Sequence, residues 1–203
     1  MTEMVLVITA AVLGALSFFE PCTIATHTLF SARSHARALP DCCRDLLLLW
    51  LARSLLAVGL LLLAVAVSTP PRWNGSTPSV ILAIMATLYI VSRFIYIPVP
   101  HLQFHRLLPG GARLPHAAQL GLALPACTLP LFVIVLGLAT TFDSYSLAVI
   151  SGLLFAGLFT LPVIVTSMTG LSVASQRFLK ATATATPYIT GALLYGVAAY
   201  LLF

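Results

Sequence analysis

The chain has 203 residues, of which 60% are hydrophobic and only 7% charged. Soluble domains carry about a quarter charged residues, so an ordinary water-soluble enzyme is excluded, as are a disordered chain and a disulfide-dense secreted module. The formal net charge of +5 is spread over too few cations to track a phosphate backbone, which excludes nucleic acid and leaves the lipid bilayer as the medium.

A hydrocarbon core about 30 Å thick takes roughly 20 apolar residues per helix. Six such stretches are expected, at 4–31, 45–68, 79–99, 117–140, 146–168 and 187–203. The first opens on the acidic Met1-Thr2-Glu3, unlike the basic n-region of a secretory signal, and is expected to be retained. It carries Glu20-Pro21-Cys22-Thr23-Ile24 and then His27. The break from Arg33 to Arg44 holds the vicinal pair Cys42-Cys43, and the second span holds Arg53. Thr69-Pro70-Pro71-Arg72-Trp73-Asn74-Gly75 is turn chemistry, and Asn74-Gly75-Ser76 also fits a short glycosylation motif. The third span bears Arg93 near its end. Pro98 to His116 forms the next break, with a turn at Leu107-Leu108-Pro109-Gly110-Gly111. The fourth span contains Pro125-Ala126-Cys127-Thr128-Leu129-Pro130, and breaks at 141–144 and 169–186 bound the last two. Trp50 and Trp73 read as interfacial anchors.

Lys and Arg number seven in the first, third and fifth connections, against Arg72 alone in the second and fourth. By the positive-inside rule the odd connections are cytoplasmic and both termini lie outside. Each half opens on a span with proline beside a Cys-Thr pair and continues with two more spans. Three is odd, so the second copy enters the membrane upside down, a plan that sets sites at the midplane between the halves. Cys22 precedes Arg33 by eleven residues and Cys127 follows His116 by eleven, so each thiol lies about 16 Å from the cytoplasmic boundary. The expected fold is an all-α polytopic membrane protein: six transmembrane helices as two inverted three-helix repeats, 1–100 and 117–203, N-out and C-out.

Pro21, Pro125 and Pro130 interrupt helix hydrogen bonding, and such breaks are tolerated beside protein or a water-filled cavity. Both cysteine segments are therefore expected to face the interior, although buried cysteine can also be plain packing. Two thiols can carry two electrons through a mixed disulfide with neither metal nor organic cofactor. A different reading makes the cysteines and Glu20 ligands for a soft metal or another solute in a small transporter. A non-catalytic scaffold would need neither cysteine.

Three ionisable residues in predicted spans are singled out. Glu20 either handles protons as thiols interconvert with thiolates or sits in a polar cavity paired with Arg53 or another donor. His27 either shares that traffic or satisfies a backbone carbonyl. Arg53, roughly 12 Å inside the membrane, either snorkels to the interface, stabilises a thiolate or pairs with Glu20. Arg93 is expected to snorkel. Cys42-Cys43 reads as reduced loop cysteines, with a relay or soft-metal site as alternatives, and His35, His101, His105 and His116 lack metal-site spacing.

The stretch Gly14-Ala15-Leu16-Ser17-Phe18-Phe19-Glu20-Pro21-Cys22 resembles the first-helix motif of the CcdA family, the transmembrane thiol-disulfide oxidoreductases related to the membrane domain of DsbD. Ile95-Tyr96-Ile97-Pro98, Gly121 to Pro130, Gly152 to Pro162 and Gly191-Ala192-Leu193-Leu194 are similar to segments of its later helices. The resemblance implies that Cys22 and Cys127 form a redox-active pair, with Pro21 and Pro130 shaping their helices. It also implies electron flow from cytoplasmic thioredoxin to extracytoplasmic thioredoxin-like proteins that serve cytochrome c maturation or disulfide repair, in a bacterial or archaeal cytoplasmic membrane. Ala25 stands where the family commonly has a second proline, Ala126 directly precedes the second cysteine, and Glu20 and His27 are departures that point to a divergent subgroup.

Overall fold

The computed structural model describes residues 2–67, 80, 83–84, 87, 90–91, 102–107, 109–125, 127–140 and 144–200. Most of the expected third span, with Arg93, lies outside the described residues, as do the Thr69 to Gly75 break, the glycosylation motif, Trp73, Pro98 and His101.

The chain is mostly helical. Helix α1 (Thr2–Phe18) is followed by α2 (Pro21–His35) and the long α3 (Leu39–Val67). A short antiparallel bridge joins β1 (Leu102–Gln103) to β2 (Ala123–Leu124), in the register Leu102 opposite Leu124. Between them lie two single 3₁₀ turns and α4 (His116–Gly121). Then come α5 (Leu129–Ala139), α6 (Tyr145–Thr169) and α7 (Val173–Tyr200). Helices α3 and α6, with 29 and 25 residues, are long and apolar enough to cross a membrane. The pair α1 and α2 makes a third crossing if taken as one bent segment.

Polarity is distributed as it is in a protein whose solvent is lipid. Leu47, Leu51, Leu55 and Leu63 form an exposed stripe on α3, and Ile150, Leu154, Leu161 and Val165 do so on α6. Ser17, Glu20, Thr23, His27, Arg53, Thr160 and Thr190 are buried inside. Apolar surface outside and polar side chains inside identify a membrane protein.

Three sequence expectations are corrected. The first span is not one helix: the axes of its two pieces differ by 70° at the Phe19-Glu20 break. The proposed break over 169–186 shrinks to three residues, because α7 is already helical from Val173. Its polar run carries its own solvation: the hydroxyls of Thr182, Thr184 and Thr186 donate to the carbonyls four residues back at 3.0, 3.0 and 2.7 Å. Threonine in this role sustains a helix that polarity alone suggests is a loop. The second span likewise begins earlier than expected, at Leu39, with Pro40 in the first turn, where its missing N–H removes no helix bond.

Lipid offers little hydrophobic drive for helix association, so close packing of small residues matters. A Cβ on Gly14 of α1 would stand 2.6 Å from the Phe155 carbonyl oxygen and 2.8 Å from its Cα on α6. A Cβ on Gly121 of α4 would stand 2.7 Å from the Leu49 carbonyl oxygen on α3. Where α3 meets α6, Gly152 lies against Val58. Backbone cannot retreat as a flexible side chain can, so Gly14→Val is expected to destabilise the protein by about 1–3 kcal/mol. Gly59→Ala, with nothing within 4 Å of the new methyl, serves as the control that loses no stability. Thermal unfolding midpoints in detergent or lipid check both.

Candidate functional site

The site is built on two interruptions. At the first, Glu20 has extended backbone (φ −65°, ψ 137°) and forms the N-cap of α2, with Pro21 in the first turn. Proline there suits the helix, since its absent N–H would have had no intrahelical partner. The first helical bond runs from the Ile24 N–H to the Glu20 carbonyl at 2.9 Å. Cys22 thus stands in the first turn of α2. One turn on, the Thr26 hydroxyl reaches the carbonyls of Cys22 and Thr23 at 3.1 and 3.0 Å.

At the second interruption, α4 ends at Gly121 and the chain runs extended through β2. The β1 strand pairs with it, and the Phe104 N–H donates to the Leu122 carbonyl at 3.1 Å. The Pro125 carbonyl then accepts both the Thr128 N–H at 3.0 Å and the Thr128 hydroxyl at 2.9 Å. Thr128 is the N-cap of α5 and Pro130 lies in its first turn, so Cys127 sits immediately ahead of that helix.

Cys22 and Cys127 are joined as a disulfide, with Cα atoms 6.7 Å apart. Both are half-buried. The N-terminal end of a helix carries partial positive charge, so negative charge on either sulfur meets the favourable end of a helix dipole. A thiolate is the attacking species in disulfide exchange. A cavity of about 380 Å³ reaches Cys22, with Thr26, Gln103, His105, Arg106 and His116 among its walls.

Behind α2 lies a buried polar cluster. Arg53 is 2% exposed and does not snorkel, contrary to one expectation for it. Its guanidinium donates to the Thr160 hydroxyl at 2.9 Å and to His27 Nε2 at 2.6 Å, and lies 3.9 Å from the Phe159 ring centroid. Arginine has no acceptor, so His27 Nε2 must accept. The imidazole is therefore the neutral tautomer with its proton on Nδ1, which donates to the Thr23 carbonyl at 2.8 Å. His27 does satisfy a backbone carbonyl, and it also receives the buried cation. Glu20 is fully buried, and its Oε1 accepts the Thr190 hydroxyl of α7 at 3.2 Å.

The remaining candidates lie elsewhere. Cys42 is buried and Cys43 exposed near the start of α3, both as free thiols. His35 ends α2 and contacts the Ser167 carbonyl at 2.9 Å, while His105 and His116 belong to the cavity. Among the described residues no three His, Cys, Asp or Glu side chains gather as a metal site requires. Sequence reasoning missed Thr160, Phe159 and Thr190. The available signal was weak: a threonine two residues before Pro162, and another three residues after Pro187.

No family model, curated protein or solved structure matches the chain.

The Arg53 and His27 side chains satisfy each other where both are buried, so removing either deprives the other of a partner. His27→Leu is expected to destabilise the fold by about 2–3 kcal/mol and Arg53→Met by about 1–3 kcal/mol, the range for orphaned buried hydrogen-bonding groups. The double variant should lose less than the sum, by roughly 1–2 kcal/mol of coupling. A double-mutant cycle on unfolding in mixed micelles measures it, and strict additivity would show that the contact contributes nothing.

Proposed function

We propose that the chain is a membrane thiol-disulfide oxidoreductase in which Cys22 and Cys127 pass reducing equivalents across the bilayer. The observation that carries this reading is the bond between the two cysteines, made between the starts of two helices and bordered at Cys22 by a cavity that His105, Arg106 and His116 help to line. A structural disulfide would serve as well in a sealed apolar interior. A half-buried one beside a cavity with basic side chains in its wall is placed for exchange.

The donor is a cytoplasmic thioredoxin and the acceptor an extracytoplasmic thioredoxin-like protein, as the CcdA-like motifs imply, with a bacterial or archaeal cytoplasmic membrane as the location. A donor thiolate attacks the Cys22 sulfur, the Cys22–Cys127 bond breaks, and Cys127 leaves as a thiolate that takes a proton. The donor's second thiolate then attacks the mixed disulfide, releasing Cys22 and carrying away the new donor disulfide. Two electrons and two protons now reside on the cysteine pair. Repeating the exchange against an acceptor disulfide on the other side returns them and reforms the bond.

The six-span plan with inverted repeats 1–100 and 117–203 is part of this reading. Reciprocal packing supports it: α1 and α2 pack on α6 of the other half, and α4 and α5 pack on α3. A glycine marks the equivalent crossing in each half, Gly14 before Cys22 and Gly121 before Cys127.

The test uses sealed vesicles with reduced thioredoxin outside, on the cytoplasmic face of the protein, and an oxidised thioredoxin-like acceptor inside. Alkylation with a mass tag should report two thiols hidden after oxidation and exposed after thioredoxin. Acceptor reduction should fall to background in Cys22→Ser and in Cys127→Ser. Free thiols at both positions under oxidant, with transfer intact in the double serine variant, would falsify the reading.

A further inference from the structure

We infer that the cavity at Cys22 is a binding site for a small anionic thiol, a low-molecular-weight compound carrying carboxylates that opens the Cys22–Cys127 bond directly. The inference rests on the redox reading of that bond and adds a substrate class to it.

Size comes first. At about 380 Å³ the cavity falls in the range of small-molecule sites, roughly 300–1,000 Å³. It is confined on one side by the first turn of α2 and on the other by the 103–106 and 116–125 segments, which the β1–β2 bridge ties together. A compact thiol fits a space so bounded, whereas a folded domain needs a flat approach or a protruding loop.

Charge comes second. The wall residues include Arg106, His105 and His116 and the amide of Gln103, and among the described residues no Asp or Glu lines it. Gln119, also in the wall, spends its amide N–H groups on the Ala112 and Leu114 carbonyls at 3.1 and 2.8 Å, which steadies the loop bearing Arg106. His105 Nδ1 is buried without a hydrogen-bond partner among the described residues. A guanidinium offers paired donors that match a carboxylate. A ligand with a thiol at one end and carboxylates beyond it would meet Cys22 and Arg106 together.

The reaction balances without another reagent. One thiolate attacks the Cys22 sulfur, the bond to Cys127 breaks, and Cys127 leaves as a thiolate that takes a proton. A second molecule attacks the resulting mixed disulfide, freeing Cys22 as a thiol. Two small thiols become one small disulfide, and the cysteine pair gains two electrons and two protons.

Glutathione and its diethyl ester are the probes, since they share one thiol and differ in carboxylate charge. With the full chain in lipid nanodiscs, mass-tag alkylation gives the initial rate of bond opening. Glutathione is expected to react faster than the ester by on the order of fivefold, the effect of one partly screened ion pair. The ratio should fall toward one in high salt and in Arg106→Gln, and Arg106→Lys should restore most of it. Equal rates for acid and ester in the unaltered chain overturn the inference, as does a ratio indifferent to Arg106→Gln. Reduction by thioredoxin but not by glutathione also overturns it and makes the cavity part of a protein docking face. Dithiothreitol separates the two levels: if it opens the bond while glutathione shows no preference, only this inference fails. A bond that dithiothreitol cannot open in the native protein overturns the redox reading as well.

Discussion

A peptide group released from a helix in an apolar medium must find another partner, and both cysteines owe their positions to how this chain meets that demand. At the first break the demand is small, because Pro21 brings no N–H to satisfy and the Glu20 carbonyl already starts the next helix. At the second break a longer stretch is freed. A passing segment supplies β pairing, and Pro125 lends one carbonyl to two donors of Thr128. Each solution ends at the start of a new helix, where backbone N–H groups point outward without intrahelical partners. The sulfurs meet at those two starts, so helix interruption, proline placement and cysteine chemistry form one feature.

The same economy governs the buried charge. A guanidinium held out of water is strongly disfavoured unless its donors are used. Here one donor goes to a threonine of α6 and another to a histidine of α2, with an aromatic face beside the cation. Because Arg53 belongs to α3, one side chain ties three helices together. The neutral histidine passes this constraint on to the first turn of α2 through the Thr23 carbonyl, next to Cys22. Arg53 therefore positions the segment that carries the sulfur without touching the bond itself.

Much of this was legible in the sequence for a physical reason. Proline beside cysteine within apolar runs is an expensive pattern, and the expense pointed inward, to Cys22 and Cys127. Membrane character followed from composition alone. Arg53 and His27 were visible as anomalies, but their pairing was not, because they lie 26 positions apart in the chain and nothing local encodes which helix faces meet. Thr160 was hidden for the same reason. The misjudged break over 169–186 has a different origin: hydropathy counts a threonine hydroxyl as polar, whereas on a helix it can be satisfied by the turn behind it. The β1–β2 bridge escaped notice because two residues give no periodicity to read.

The two sulfurs are not held alike, and this bears on how the bond can open. Along α2, His27 is tied to Arg53, Ser31 meets the Thr166 hydroxyl at 2.9 Å, and His35 contacts the Ser167 carbonyl. These links fasten α2 to α3 and α6 at successive turns. Among the described residues, the hydrogen bonds of the stretch ahead of α5 are those of the two-residue bridge, the Phe104 N–H on the Leu122 carbonyl and the Pro125 carbonyl on Thr128. Disulfide exchange requires the sulfurs to move from bonding distance, about 2.05 Å, to non-bonded contact. In the proposed exchange, movement of that kind would fall to the more lightly tied partner. Cys22, on the fastened helix, is the sulfur that borders the cavity, and Cys127 lies on the stretch ahead of α5.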